Sequence, residues 1–214
     1  MTGHPPAIAE GMARLAEREP LLAGLVAEAG LPPPRSRPAG FGTLLQIITG
    51  QQVSTHAAAA IWQRVALLAD PMTPTAWLAL DDEALRGAGF SRSKTVYCRD
   101  LAARLADGSL DLDGLAALDD EAAIRALSAI RGVGRWTAEI YLLFAHGRPD
   151  VWPADDIAIQ AGYQHLRGLA ARPPGKALRP LGEEFRPWRS AAALLLWHLY
   201  RHRVRPRMGE IVPA

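Results

Sequence analysis

The sequence predicts an all-α protein, and three features lead to that prediction. Apolar residues recur at helical spacing along most of the chain, as at Phe41, Leu44, Leu45 and Ile48. Glycine and proline residues mark the ends of these periodic segments. The chain lacks both an alternating apolar–polar run of useful length and an Asn-Gly turn between two such runs, so it carries no signal for a β-hairpin.

The periodic segments give the expected helices in order. Ser54 is well placed to cap the helix that follows it, and Ser91 to start another. The predicted helical segments are residues 7–16, 21–29, 41–49, 55–68, 74–80, 81–87, 91–106, 111–116, 119–129, 135–145, 155–166, 176–185 and 187–201.

Length and composition restrict the class of protein. A chain of 214 residues with 49% hydrophobic and 21% charged residues forms one large or two small globular domains. The single cysteine, Cys98, excludes a disulfide framework and a multi-cysteine metal or iron–sulfur site. The six histidines lack ligand spacing, so we expect no catalytic metal. Without a signal pattern or a bilayer-length apolar run, we expect a cytoplasmic protein, nucleoid-associated if bacterial, with no membrane partner.

The turn at residues 130–134, Ile-Arg-Gly-Val-Gly, lies between two helical patterns. Gly132 and Gly134 permit backbone angles closed to other residues and leave room for close approach. A helix starting at Arg135 directs its N–H groups and positive dipole end into the turn, which suits a phosphate. Val133 between the glycines is expected to face inward. Taken alone, Gly-x-Gly fits a tight helix–helix connection equally well.

The wider pattern Leu-x-x-Ile-x-Gly-Val-Gly-x-x-Thr-Ala over residues 127–138 resembles the helix-hairpin-helix of the DNA glycosylase superfamily. The resemblance continues in residues 46–54 (Gln-Ile-Ile-Thr-Gly-Gln-Gln-Val-Ser), 85–90 with Lys94 downstream, and 187–190 (Pro-Trp-Arg-Ser). Together these motifs are similar to the 3-methyladenine DNA glycosylases of the alkylbase type (glycosylase II). The similarity covers about residues 40–203, and the length suggests the compact form without an extra N-terminal α/β domain.

The resemblance implies a two-lobed helix-hairpin-helix DNA glycosylase fold with the active-site cleft between the lobes. Residues 41–148 would form a central lobe ending in the hairpin, and residues 1–40 plus 149–214 the second lobe. It implies a monofunctional enzyme of base excision repair that flips alkylated purines out of double-stranded DNA and hydrolyses the N-glycosidic bond. We expect a monomer without a cofactor; the resemblance allows a monovalent cation at the hairpin carbonyls.

Two carboxylates, Asp155 and Asp156, follow Pro153 at a predicted helix start. Asp is a common N-cap residue, and we expect that role for Asp155. Asp156 lies 22 positions after Gly134 (156 − 134), which matches the catalytic aspartate of the family. Breaking an N-glycosidic bond creates positive character on the sugar. A nearby carboxylate stabilises that charge or orients the attacking water.

Trp136 distinguishes two chemistries. Bifunctional relatives that also cut the strand carry a lysine two residues after the second hairpin glycine, and its amine attacks the sugar. This chain has an indole there, so the resemblance implies no lyase activity.

The resemblance places Trp136 and Trp197 in the base pocket, where aromatic rings would hold a cationic alkylpurine. Trp197 also fits a plain core position, since leucines surround it in sequence. Ile140 and Ile157 stand where some members have tyrosine, which makes this pocket less aromatic. Two nearby aromatic residues, Tyr141 and Trp152, could replace the missing rings in the pocket or pack in the core, and the sequence allows both roles.

By position, Gln52 would fill the gap left by the flipped base, although a water-satisfied polar loop residue is an equal alternative. Arg135 and Thr137 at the helix start are predicted to contact phosphate. Several other basic residues are interpreted as structural or surface-exposed: Lys94, Arg99 and the run at 201–207.

Two alternatives to the leading function remain. A non-catalytic helix-hairpin-helix DNA-binding module would keep the hairpin, but it gives no reason for Asp156 at this spacing. A glycosylase for deaminated or oxidised bases would keep the chemistry and change the substrate.

Overall fold

The computed structural model describes residues 3–204, which form helices joined by turns and loops and contain no β-strand. The all-α prediction is confirmed. The α-helices are α1 (Pro6–Arg18), α2 (Pro20–Ala29), α3 (Phe41–Thr49), α4 (Thr55–Leu68), α5 (Pro74–Leu78), α6 (Asp82–Gly87), α7 (Arg92–Ala106), α8 (Asp120–Ser128), α9 (Arg135–Ala145), α10 (Ile157–Arg167), α11 (Gly175–Leu181) and α12 (Arg189–Leu199). Short 3₁₀ turns occupy Gly114–Ala117 and Gly182–Phe185, and a π-helical turn, Tyr200–Val204, follows α12.

The chain divides into two compact units. The terminal unit comprises the described residues 3–36 and 142–204, and the hairpin unit comprises residues 37–141. The passage between them falls within α9, whereas the sequence predicts boundaries at residues 41 and 148. A helix that continues from one unit into the other keeps its periodicity, so the sequence gives no sign of the boundary.

The core of the terminal unit forms where α1 and α2 pack against α12. Gly11 permits close packing, because a Cβ there would lie 2.7 Å from Cβ of Trp188. The buried apolar side chains of this core include Ile8, Met12, Leu15, Leu22, Leu25, Leu143, Trp152, Ile159, Tyr163, Leu178, Phe185, Leu194, Leu195, Leu196 and Leu199.

The core of the hairpin unit is centred on Trp77, which is completely buried. Its ring lies 6.4 Å from that of Phe41 on α3 and 5.3 Å from that of Phe90, measured between centroids. The apolar residues predicted on one face of α3 are buried here, including Leu44 and Ile48. Burial of this apolar face, rather than intrinsic helix propensity, stabilises a helix of this length.

Helix ends follow the capping residues. Ser54 Oγ accepts a hydrogen bond from Ala57 N at 2.9 Å, and Ser91 Oγ accepts one from Lys94 N at 3.3 Å, so both predicted starts are confirmed. The predicted helix at 176–185 is instead α11 followed by a 3₁₀ turn. Pro180 within α11 lacks the N–H that a longer α-helix would need there.

Among the described residues, no helix has both the length and the apolar character needed to cross a membrane. The predicted basic run at 201–207 lies only partly within them: Arg201 and Arg203 belong to the π-helical turn, and 205–207 fall outside.

Candidate nucleic-acid interface and active site

The turn between α8 and α9 has the backbone that its glycines predict. Gly132 has a φ of +81°, in the left-handed region. A Cβ there would lie 2.3 Å from Cδ2 of Tyr97, so any other residue would be both strained and blocked. Val133 is 3% exposed, and its N–H donates to Ile130 O at 3.0 Å. The inward-facing Val133 is confirmed, and it anchors the turn.

The second glycine lies in a different environment. Gly134 is exposed, and a Cβ there would meet no atom within 4 Å. Helix α9 begins at the next residue, Arg135, and the first N–H groups of a helix have no intrahelical acceptor. Together, the N-terminus and the open glycine form the backbone geometry of an anion site. Phosphate binding here stays a prediction.

The loop between α3 and α4 (residues 50–54, the Gln52 loop) carries the candidate wedge. Gln52 is exposed and has a φ of +56°; within the described chain it is the one non-glycine residue with positive φ. That conformation is uncommon for a residue other than glycine, and it persists only where the surrounding structure enforces it. An exposed side chain on a strained loop suits a wedge, and the role stays a prediction.

Gln51, the preceding residue, joins this loop to the hairpin. Its Nε2 donates to Gly132 O at 3.0 Å and to Thr137 Oγ1 at 2.9 Å. Lys94 on α7 holds the loop backbone, because its Nζ donates to Thr49 O at 2.7 Å and to Gln51 O at 2.8 Å. Burial lowers the pKa of Lys94. The sequence allows Lys94 to be either a structural or a surface residue, and these hydrogen bonds give it a structural role.

Thr137 and Arg135, the two residues of α9 predicted to contact phosphate, have different surroundings. Thr137 is 3% exposed and its hydroxyl accepts from Gln51 Nε2, so its side chain is bound within the fold, and a phosphate contact at this residue stays a prediction. Arg135 is partly exposed, with NH1 donating to Glu121 at 2.9 Å and Nε donating to Glu139 at 2.8 Å. The carboxylate of Glu121 raises the pKa of Arg135. A phosphate would compete with these two glutamates, and the Arg135 contact stays a prediction.

Another hairpin arginine has a different partner. Arg131 is exposed, and its guanidinium lies 5.8 Å from the ring centroid of Tyr97, within the range of a cation–π contact. Within residues 3–204, the structure shows no carboxylate paired with Arg131.

Trp136 lies in the first turn of α9 and is partly buried. The absence of lyase activity that the sequence predicts from this indole stays a prediction. The place of Trp136 in a base pocket also stays a prediction.

In the terminal unit, Asp156 is the N-cap of α10. Its Oδ1 accepts from Ala158 N at 2.9 Å, from Ile159 N at 3.1 Å and from Trp197 Nε1 at 2.9 Å. Hydrogen bonds from two backbone N–H groups and one indole N–H fix the orientation of this carboxylate. Asp156 is partly exposed, so this fixed negative charge is accessible to solvent.

The predicted N-cap role for Asp155 is wrong, because Asp156 performs it. The Pro153 turn, closed by Asp156 N donating to Pro153 O at 3.0 Å, delays the helix start to Ile157. Asp155 instead pairs with Arg179 NH2 at 2.7 Å. It also lies against Gly175, where a Cβ would be 1.9 Å from Asp155 Oδ1.

Close packing between α10 and α12 brings Trp197 to Asp156. A Cβ on Gly162 of α10 would lie 2.6 Å from Leu196 O on α12, so glycine allows the two helices to approach. Trp197 also stacks on Phe144, with centroids 5.8 Å apart and planes at 18°. Trp197 packs against the core and is partly exposed, so its packing role is observed and its place in a base pocket stays a prediction.

Of the other candidate pocket residues, two are buried in the core and one is exposed at the surface. Tyr141 is fully buried, and its hydroxyl accepts from Gly40 N at 2.8 Å. Trp152 is 3% exposed and donates to Leu178 O at 3.2 Å, so both aromatic residues pack internally. Ile157 is 58% exposed, directly after Asp156.

Sequence reasoning missed two residues that position others. Gln51 reaches the hairpin across 81 positions, and the sequence offers only its place inside a family-like motif. Phe144 supports the Trp197 ring. Its place on the apolar face of α9 indicates burial and does not identify its partner.

Comparisons with known proteins identify the family of this chain and similar structures. The family model described as "HhH-GPD superfamily base excision DNA repair protein" matches residues 45–187. The chain is 34% identical over 176 residues, 78% of this chain and 77% of the relative, to "DNA-3-methyladenine glycosylase 1" of Schizosaccharomyces pombe.

Two solved structures are also similar. One is the 3-methyladenine DNA glycosylase Mag1 of Schizosaccharomyces pombe in complex with abasic DNA, with a TM-score of 0.80 and 30% identity over 88% of this chain and 95% of that one. The other is a DNA-3-methyladenine glycosidase from Bacillus halodurans, with a TM-score of 0.74 and 32% identity over 94% of this chain and 91% of that one.

Proposed function

The chain belongs to the HhH-GPD superfamily of base excision DNA repair proteins, and from that premise we propose that it is a monofunctional DNA glycosylase that excises alkylated purines. The proposed substrates are bases of the 3-methyladenine and 7-methylguanine type in double-stranded DNA. The base is flipped out of the stack before the N-glycosidic bond is hydrolysed. One observation carries the proposal: a partly exposed carboxylate, Asp156, whose Oδ1 is fixed by three N–H donors, one of them the indole of Trp197.

Asp156 provides fixed negative charge for the sugar. As the N-glycosidic bond breaks, oxocarbenium character develops on the deoxyribose, and a nearby carboxylate stabilises it or orients the attacking water. The donors to Oδ1 hold the carboxylate in one orientation before the substrate arrives. An alkylated purine already carries positive charge as a leaving group, so the reaction needs little acid catalysis.

Trp136 supports hydrolysis without strand cleavage. A lyase forms a Schiff base between an amine and the sugar, and an indole has no amine to form one. Its ring instead offers a stacking surface to a base.

Trp197 offers an electron-rich ring to a cationic base. A cation over a tryptophan face gains on the order of 1–2 kcal/mol in a dry site. Stacking on Phe144 and the hydrogen bond to Asp156 hold the ring in one orientation, so little rotamer entropy is lost on binding.

The hairpin would hold the DNA backbone through the N–H groups at the start of α9, beside the open Gly134. Arg131 is the better hairpin cation for a phosphate, because its guanidinium contacts the neutral ring of Tyr97, whereas that of Arg135 pairs with two glutamates. Gln52 would fill the stack that the flipped base leaves.

A monovalent cation at the hairpin would fit the available oxygens. Ile130 O accepts from Val133 N, and Gly132 O accepts from Gln51 Nε2. Each carbonyl oxygen has a second lone pair that could face a cation. Such an ion would add positive charge near the phosphate, and the chemistry proposed for the sugar does not use it.

The experiment uses a panel of duplexes, each with one lesion: 3-methyladenine, 7-methylguanine, 1,N6-ethenoadenine, hypoxanthine or 8-oxoguanine. The protein is incubated with each duplex, and alkali then cleaves any abasic sites. We expect strand breaks from the alkylated purines only after alkali, and no protein–DNA adduct trapped by borohydride.

Other outcomes identify the alternatives. Binding without abasic sites in any duplex would indicate a non-catalytic DNA-binding module. Excision restricted to hypoxanthine or 8-oxoguanine would assign a different substrate class. A borohydride-trapped adduct would overturn the monofunctional assignment.

A further inference from the structure

The side chain of Gln51 makes two contacts with the hairpin from a loop that is distant in sequence. Its amide Nε2 donates to Gly132 O and to Thr137 Oγ1, at 3.0 and 2.9 Å. One acceptor, Gly132 O, lies in the turn before α9, and the other, Thr137 Oγ1, lies in the first turn of α9 and belongs to a buried residue. The Gln52 loop and the hairpin are thus connected inside the hairpin unit by one side chain.

The backbone of the same residue is held from the other side. Lys94 Nζ donates to Gln51 O and to Thr49 O, the two carbonyls that flank Gly50 at the end of α3. A cation at a helix C-terminus satisfies carbonyls that lack intrahelical partners. The carbonyl and the side chain of Gln51 are therefore both anchored, which leaves this residue one conformation.

Gln52 follows directly and depends on these anchors. Its φ of +56° lies in the left-handed region, which is unfavourable for a residue with a Cβ. Such a conformation persists only where the surroundings enforce it. The side chain of Gln52 is exposed, so the contacts that enforce its conformation act through its neighbours. Gln51 makes four hydrogen bonds, and three of them join its side chain and carbonyl to other chain segments.

We propose that Gln51 and Lys94 are positioning residues that keep Gln52 in register with the hairpin before DNA binds. The side chain that fills the vacated stack and the backbone that holds the flanking phosphate then form one preset surface. Pre-setting this surface removes the entropy cost of ordering the Gln52 loop during base flipping. The inference rests on the proposed function of Gln52 as the wedge.

The main variant is Gln51→Met, which keeps the length of the side chain and removes both donors. Gln63→Met makes the same change at an exposed site on α4 and serves as the matched control. Single-turnover excision is measured on 7-methylguanine paired with cytosine and on 7-methylguanine in a single-nucleotide bulge. Fluorescence of 2-aminopurine beside the lesion reports base flipping independently of excision.

We expect Gln51→Met to slow excision from the paired duplex about tenfold, the effect of losing one or two hydrogen bonds at a preset site. The deficit should shrink to within about twofold in the bulge, where unpairing no longer costs energy. Gln52→Ala should show the same pattern. The double variant Gln51→Met/Gln52→Ala should be no slower than the slower single variant, because the two residues act as one unit.

Equal loss on the paired and bulged duplexes would show that Gln51 has only a general structural role and would overturn the proposal. Additive losses in the double variant, or normal flipping by a folded Gln51→Met protein, would do the same. If Gln51→Met does not fold, Lys94→Met tests the same loop from the other side by the same duplex comparison. A wild-type protein that flips the base without excising it would count against the proposed function alone.

Discussion

The two units use different means to present their candidate functional groups. In the hairpin unit, backbone N–H groups at the start of α9 are predicted to meet DNA directly, together with the side chains of Gln52 and Arg131. The side chains of Gln51 and Thr137 are bound within the fold. In the terminal unit the candidate catalytic group is a side-chain carboxylate, Asp156, and backbone N–H groups of α10 orient it. Substitutions in the hairpin should therefore change DNA affinity, and substitutions at Asp156 should change the chemical step.

The largest expected effect is on the carboxylate itself. Asp156→Asn should slow excision by at least about a hundredfold, because it removes the charge that faces the developing cation. Asparagine is a good N-cap residue, so α10 should keep its start and the protein its stability. Single-turnover excision measures the loss. Asp155→Asn is the matched control, and excision by it should stay near wild type because Asp155 pairs with Arg179 instead.

Trp197→Phe tests whether the indole N–H is needed to hold the Asp156 carboxylate in position. It retains an aromatic ring to stack on Phe144 and removes the N–H that donates to Asp156 at 2.9 Å. We expect the excision rate at saturating protein to fall about tenfold, as for loss of one hydrogen bond to a charged group. DNA affinity should be little changed. An unchanged rate would mean that the two α10 amides orient the carboxylate sufficiently without the indole.

The hairpin glycines should separate stability from binding. Gly132→Ala introduces a Cβ at positive φ and 2.3 Å from Tyr97, so it should lower the free energy of unfolding by about 1–3 kcal/mol. Gly134→Ala adds a methyl group into open space, so stability should stay within about 0.5 kcal/mol of wild type. It should nevertheless weaken DNA binding about tenfold if a phosphate approaches there. Denaturant unfolding and DNA titration measure the two effects; normal DNA affinity in Gly134→Ala would remove the phosphate from this turn.

The smallest expected effect concerns the two hairpin arginines. Arg131→Ala should reduce the slope of log K against log salt concentration by about 0.9, the value for one phosphate contact. Arg135→Ala should change the slope less, because Glu121 and Glu139 already neutralise that guanidinium. The exposed Arg86 on α6 provides a control, Arg86→Ala, for the loss of one positive charge. The reverse order of slopes would assign the phosphate to Arg135.

Much of the fold was accessible from the sequence because helical periodicity and caps are local. Ser54 and the apolar face of α3 lie where the sequence predicts. The position of Asp156 at a helix start also follows from the sequence. Which of two adjacent aspartates caps the helix does not, because it depends on where the Pro153 turn closes.

The remaining features depend on contacts between distant segments. The side chain of Gln51 reaches Thr137 across 86 positions, and the sequence does not show that the Thr137 hydroxyl accepts this hydrogen bond. Glu121 similarly occupies Arg135 from α8. Residue type and spacing show that such side chains can bind phosphate, and only the packed structure shows that another group already holds them.

The division between chemistry and DNA binding is tested most directly by single-turnover excision of 7-methylguanine at increasing protein concentration, with Asp156→Asn and Gly134→Ala compared with wild type. We expect Asp156→Asn to lower the plateau rate by at least about a hundredfold while the half-saturating concentration stays within about threefold. Gly134→Ala should keep the plateau and raise the half-saturating concentration about tenfold. A lowered plateau in Gly134→Ala, or an Asp156→Asn protein whose rate recovers at high concentration, would contradict the account.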